Sequence, residues 1–283
     1  DDVVIFSESD EGLQCAINRL SAFCTKWKLQ VNLKKTKVII FNKSGRSLTK
    51  HVFLFGQHTL DIVPSYCYLG LTITSSGSFS LAKKQLSLKA RKAMYSLKSL
   101  IRSSVSPKCL LKIFDSCIKP ILLYGCEIWG TDSINDSSPI EISQQRFCKN
   151  ILGVFRNCSN LASRAELGRF PLDLDISVRV FHYWLRLLQM DYDRHPLQVD
   201  ALLFQRNSIT TSRRKTLLQR VKEILDHSGY SYLFYSCSSS SDIKSVCTML
   251  RSRITNMYIQ TFCHNLSINT GKLRFYKTCK TTY

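Results

Sequence analysis

The sequence predicts an α+β protein in which a small β-α-β-β-β piece is followed by helices to the end. Three observations carry that prediction. Short β-branched and aromatic runs, broken by Gly, Ser, Asn and Pro, are confined to residues 1–75. One helical stretch interrupts them, between Ser9 and Leu29. After "SSGS" (75–78) the apolar residues recur at spacings of three and four, and they keep that period. With 283 residues, 44% of them hydrophobic, the chain can bury a core.

In order, "VVIFS" (3–7) reads as a short buried strand. The following stretch places Leu13, Ile17, Leu20, Phe23, Cys24 and Trp27 on one helical face. Ser7 or Ser9 can cap this helix, and Asp10 and Glu11 suit its positive N-terminal end. "KVIIF" (37–41), "HVFLF" (51–55), "HTLDIV" (58–63) and "YLGLTIT" (68–74) read as strands joined by turns. A helix over 81–102 gathers Leu86, Ala90, Ala93, Leu97, Leu100 and Ile101 within roughly 100° of arc. Lys84, Arg91, Lys98 and Arg102 fall within about 40° on the other side, with no acid among them.

Ser106-Pro107 opens the next helix, which carries Leu110, Leu111, Phe114, Cys117 and Ile118 and is ended or kinked by Pro120. Ser138, Pro139 and Glu141 read as a capping box. Further helices are expected near 139–152, 175–190, 213–227 and 242–261, the last preceded by the serine-rich "SCSSSSD" (236–242). Phe181, Trp184, Leu185 and Leu188 form a core stripe, and Tyr124 and Trp129 are expected in the core.

Forty Lys and Arg against twenty Asp and Glu leave a formal charge of +20. Such an excess seeks an anionic partner, nucleic acid or an anionic membrane. Its distribution is uneven. Asp1, Asp2, Glu8, Asp10 and Glu11 crowd the start, whereas Lys26 to Cys126 holds eighteen bases and only Asp61 and Asp115 as acids. A generally basic protein is one reading. The other is a metal-dependent enzyme acting on a polyphosphate backbone, and Asp1 and Asp2 frame the same choice: two solvated acids before a strand, or two carboxylates holding divalent metal.

The twelve cysteines contain no C-x-x-C and read mostly as free core thiols in a reducing compartment. Cys237, Cys247, Cys263 and His264 lack the spacing of a zinc finger or knuckle, so no zinc is expected. No signal peptide is visible, and no uncharged apolar run approaches the ~18 residues of a membrane span. The expected location is nuclear, cytoplasmic or both, with no membrane partner.

Several motifs stand in a fixed order: "DDVVIF" (1–6), "LQVNLKKTKVIIF" (29–41), "YLGLTIT" (68–74), "IKPILLYGCEIWG" (118–130) and "GKLRFYKTCK" (271–280). In that order they resemble the reverse transcriptases of non-LTR (LINE-type) retrotransposons. The resemblance is strongest over 1–131. It implies a partial palm over 1–78 that begins inside the Asp-Asp box, a helical thumb over 79–135 and a helical C-terminal extension over 136–283.

The resemblance implies that Asp1 and Asp2 ligate Mg²⁺ for two-metal nucleotidyl transfer, hard cations taking oxygen ligands. Asn32 is expected to contact nucleic acid and Lys35 to protonate or screen the pyrophosphate, with Lys34 and Lys37 as competitors that the Asn-x-x-Lys spacing disfavours; plain surface lysines are the other reading. Tyr68, Leu69 and Gly70 match the primer-grip strand, with simple turn chemistry as the other reading. Lys84, Arg91, Lys98 and Arg102 would meet backbone phosphates, although the stripe also reads as a solvated face. The implied partners are an RNA template and a DNA primer. The chain starts without Met and reads as a piece of something longer, and such a piece is not expected to polymerise alone. The rival reading is a non-catalytic nucleic-acid-binding module or a decayed element.

Overall fold

The computed structural model describes residues 2–42, 51–100, 105–132, 134–191, 193, 201, 215–236 and 242–268. These residues are mixed α and β, with helices dominating and small strands confined to the first part. The chain divides into two compact units, Asp1–Ala82 and Lys83–Tyr283.

In the first unit, α1 (Asp10–Lys26) starts at Ser9, whose Oγ accepts the Gly12 N–H at 3.0 Å. Asp10 and Glu11 lie in its first turn, against the positive end of the helix dipole. It ends in a Schellman arrangement: the Leu29 N–H donates to Cys24 O at 2.8 Å and the Lys28 N–H to Thr25 O at 3.3 Å. Lys28 occupies the left-handed position with φ 53°.

Ile17 of α1 packs into a small core with Val38, Phe53 and Leu60, ringed by Leu13, Leu33, Ile40, Phe55 and Ile62. Among the described residues the unit also holds three two-stranded ladders. β1 (Lys37–Val38) runs parallel to β4 (Asp61–Ile62). β2 (Leu54–Phe55) and β3 (His58–Thr59) form a hairpin around Gly56, at φ 60°. β5 (Ser65–Tyr68) and β6 (Leu71–Thr74) form a second hairpin.

Two expectations are corrected here. Residues 3–7 are not a strand: they have irregular backbone, and Phe6 is 77% exposed. A strand requires a ladder to satisfy its backbone groups, and among the described residues none pairs with this segment. "YLGLTIT" is not one strand but a hairpin turn followed by a strand. Leu69 (φ 47°) and Gly70 (φ 81°) are both left-handed, the geometry of a two-residue type I′ turn. The element order among the described residues of this unit is therefore one helix followed by six short strands.

α2 (Ser80–Leu100) buries Leu86 and Ala90, with Ala93 and Leu97 half-buried, as the apolar face predicts. In the second unit, α3 (Pro107–Ile113) is capped by Ser106. A π-helical turn (Phe114–Ile118) leads into α4 (Lys119–Leu122). Pro120 has no N–H for the Ser116 carbonyl, and the widened turn accommodates its ring instead of breaking the path. α5 (Cys126–Trp129), α6 (Pro139–Leu152), α7 (Asn160–Glu166), α8 (Leu172–Leu188), α9 (Leu217–Ser228), α10 (Leu233–Ser236) and α11 (Ile243–Ser267) follow.

α8 is the central element, packed by α5, α6, α9 and α11. Its Phe181, Trp184 and Leu185 are buried, and Trp184 stacks on Phe234 at 5.7 Å between ring centroids. The turn after α5 approaches it so closely that a Cβ on Gly130 would lie 2.6 Å from Ile176 Cγ2. Trp129 is buried and its Nε1 donates to Tyr124 O at 2.7 Å, but the Tyr124 ring is half exposed, against expectation.

The capping box at α6 does not form: Ser138 makes no side-chain cap. Glu141 turns inward instead, because Oε1 accepts the Asp173 N–H at 3.0 Å and Oε2 faces Arg164 at 3.5 Å. Core thiols are fewer than expected. Cys24, Cys126 and Cys148 are buried, but Cys15, Cys67, Cys109, Cys117 and Cys263 are exposed.

Candidate nucleic-acid interface

Asp1 lies outside the described residues. Asp2 is exposed on the irregular segment before α1. Its carboxylate is chemically suited to a hard divalent cation, but no group of three or more His, Cys, Asp or Glu that could hold a metal occurs among the described residues. Asp2 is thus a candidate ligand.

The Asn32–Thr36 segment is a tight turn organised by Asn32. Its carbonyl accepts the Lys35 and Thr36 N–H groups, both at 3.0 Å, and the Thr36 hydroxyl at 3.0 Å. Its Oδ1 also receives the Lys35 N–H at 3.3 Å. The asparagine thereby fixes the backbone that presents Lys35, whose side chain is exposed. Lys37 is committed elsewhere, to Asp61 Oδ2 at 2.5 Å across the β1–β4 pair. Tyr68, Leu69 and Gly70 form the tip of the β5–β6 hairpin, with Leu69 largely exposed. The structure brings Asn32 and Lys35 together in one turn, apart in sequence from both Asp2 and the hairpin tip.

On α2, Lys84 is exposed and Arg91 half-buried, the two lying two helical turns and about 10 Å apart along the axis. Lys98 belongs to α2, and Arg102 lies outside the described residues. No helix among the described residues is long and apolar enough to cross a membrane.

Two features go beyond the sequence reading. The first is a charged network inside the second unit. Arg220 donates to Asp173 Oδ1 and Ser177 Oγ, both at 3.0 Å. Arg164 binds Asp136 at 2.9 Å and faces Glu141. Burial pushes the Glu141 carboxyl up to about 7, outweighing the nearby Arg164. Tyr258 is likewise pushed up to about 12, by burial first and then by Asp173 and Glu141. Beside it, Asp175 bridges Lys119 at 2.6 Å and Arg251 at 2.5 Å, tying α4 and α11 to α8. Burial opposes ionisation of Asp175, yet these two cations hold its carboxyl below the usual range. Acids and arginines inside otherwise apolar helical periods are the signal that the sequence offers for this network. The second feature is an aromatic surface at the end of α1. Phe23 and Trp27, expected on the buried face, are exposed, because Ile17 and Cys24 alone are buried along that helix.

Comparison with known proteins gives the class. The chain is 29% identical over 148 residues, 51% of its length, to "Probable RNA-directed DNA polymerase from transposon BS" of Drosophila melanogaster. It is 24% identical over 164 residues, 54% of its length, to "RNA-directed DNA polymerase from mobile element jockey" of the same fly. A transposon-derived protein of Caenorhabditis elegans is 27% identical over 133 residues, 46% of each chain. The matches span only 16% and 17% of the two polymerases. No family model matches, and no solved structure matches. Over about half its length, then, the chain is homologous to part of the RNA-directed DNA polymerases of transposable elements, as the order of its motifs implied.

Proposed function

We propose that the chain is the C-terminal part of the polymerase region of a non-LTR retrotransposon protein, working within a longer polypeptide that copies RNA into DNA. The observation that carries this reading is the similarity to two RNA-directed DNA polymerases over half the chain, together with the Asp-Asp, Asn-x-x-Lys-Thr and Tyr-Leu-Gly segments in register. In this reading 1–78 is the end of a palm, 79–135 a thumb and 136–283 a helical extension.

Asp1 and Asp2 would hold Mg²⁺, which lowers the pKa of a primer 3′-hydroxyl and neutralises charge on the leaving pyrophosphate. Further ligands would come from the rest of the polypeptide. The Asn32 turn holds Lys35 outward, so that its ammonium can meet the triphosphate or hand a proton to the leaving pyrophosphate oxygen. The tight I′ turn at Leu69–Gly70 brings backbone close to whatever lies on it, which suits a primer strand. Lys84, Arg91, Lys98 and Arg102 would neutralise backbone phosphates of the template–primer duplex.

The test is RNA-templated primer extension by the parent polypeptide. Lys35→Ala should raise the KM for nucleotide and lower kcat by about 10²-fold or more. Unchanged kinetics would remove Lys35 from the site.

A further inference from the structure

We propose that the exposed end of α1 is a stacking platform for single-stranded nucleic acid, made by Phe23 and Trp27 and flanked by Arg19, Lys26 and Lys28. This goes beyond the polymerase reading, since it needs neither metal nor nucleotide.

Phe23 is 52% exposed and Trp27 61% exposed, with ring centroids 6.2 Å apart. Two large aromatic rings are rarely left in water side by side without a partner. Lys26 Nζ stands 5.9 Å from the centre of the Trp27 ring. Arg19, Phe23, Lys26 and Trp27 share about 100° of helix surface. The Schellman end of α1 fixes the platform, with the Trp27 N–H bonded to Phe23 O at 3.0 Å. It also sets Lys28 in a left-handed position directly after Trp27, where glycine is the ordinary choice.

Charge decides the occupant. From Gly12 to Leu60 the sequence contains no Asp or Glu, and Arg19, Lys26, Lys28, Lys34 and Lys35 lie within the first half of that span. A protein-docking surface depletes charge at its centre. Exposed aromatics interleaved with unopposed cations instead match strands whose bases stack while their phosphates are neutralised. The pattern needs no sequence readout, because every base has a π-face.

Trp27 supplies its own probe. The chain has three tryptophans, and the other two, Trp129 and Trp184, are buried. Titrating the full chain with a short oligouridylate should quench Trp27 saturably, with the fraction bound falling steeply as salt rises. Fluorescence anisotropy of the labelled oligonucleotide should show Phe23→Ser and Trp27→Ala each weakening binding by about tenfold. Changing Arg19, Lys26 and Lys28 to Gln should flatten the log–log salt slope by about 2.

Three outcomes overturn the proposal. One is oligouridylate binding with Trp27 emission unchanged. Another is equal quenching by inorganic polyphosphate, which has charge but no bases. The third is quenching by phosphatidylserine vesicles but not by oligouridylate, which makes the patch a membrane contact. Trp27 quenching in the unaltered chain decides the matter even if a variant folds poorly. Loss of polymerase activity in the parent would leave this result standing, and the reverse holds too.

Discussion

Glu141 Oε2 and Arg164 Nη1 face each other 3.5 Å apart, with side chains 1% and 6% exposed. The arginine makes its shorter bond, 2.9 Å, to the more exposed Asp136. The glutamate therefore has a buried charge with one backbone donor, from Asp173, and one distant cation. Desolvation outruns that compensation and raises its pKa to about 7.

This gives stability a pH dependence of defined sign. A carboxyl whose folded pKa lies above its unfolded value binds more protons when folded. Its contribution is complete below pH ~4.5 and is lost as pH rises through about 7. The loss is at most roughly 3–4 kcal/mol, since a tenfold difference in proton affinity between folded and unfolded states corresponds to ~1.4 kcal/mol. Urea midpoints of the wild-type chain should fall across that window, and those of Glu141→Gln should fall less. Parallel profiles would mean that Glu141 is ionised throughout.

Arg220 is the second test of the same network. It joins α9 to α8 through Asp173 and Ser177 and is nearly buried. Arg220→Leu leaves the Asp173 carboxylate with the Ile134 N–H as its described remaining donor. Removing one member of a buried ionic pair costs about 3–5 kcal/mol. Denaturant unfolding should show that loss, and a change below about 1 kcal/mol would mean that solvent already screens the pair.

Lys28 tests the other unit. A left-handed lysine at a helix end carries about 1–2 kcal/mol of strain that glycine relieves, partly offset by the entropy of the unfolded glycine. Lys28→Gly should raise stability by up to about 1 kcal/mol while weakening oligonucleotide binding. A destabilised variant would contradict the Schellman geometry.

What is legible in the sequence depends on whether the governing interaction is local. Ser9, Ser106 and the apolar stripes of α2 and α8 act within a few residues, and those helices form where expected. Residues 3–7 have strand composition, but pairing is a property of neighbours and not of composition. "YLG" has the apolar character of a strand, whereas the consecutive left-handed residues Leu69 and Gly70 make it a turn. Glu141 has the right spacing to cap α6, but a distant arginine and backbone N–H draw it inward. Asn32 and Lys35 are legible as a pair because the asparagine organises its own turn. Trp27 escapes the periodicity argument, because a repeat of apolar residues marks a face without showing whether anything covers it.

The α2 stripe yields a separate prediction. Lys84→Gln with Arg91→Gln should flatten the salt dependence of RNA–DNA hybrid binding by about 1.5 log units per log unit of salt. Leu86 and Ala90, buried on the opposite face, are untouched, so thermal stability should change little. An unchanged slope in the folded variant would make the stripe an ordinary solvated face.

The chain is proposed to carry the metal-binding end of a polymerase palm. RNA-templated primer extension by the parent polypeptide, with Asp1→Asn and Asp2→Asn compared in turn, tests this most directly. Loss of Mg²⁺-dependent extension in at least one variant, with an unchanged melting temperature, is the expected result. Full extension by both variants would contradict the assignment of these two carboxylates to the catalytic site.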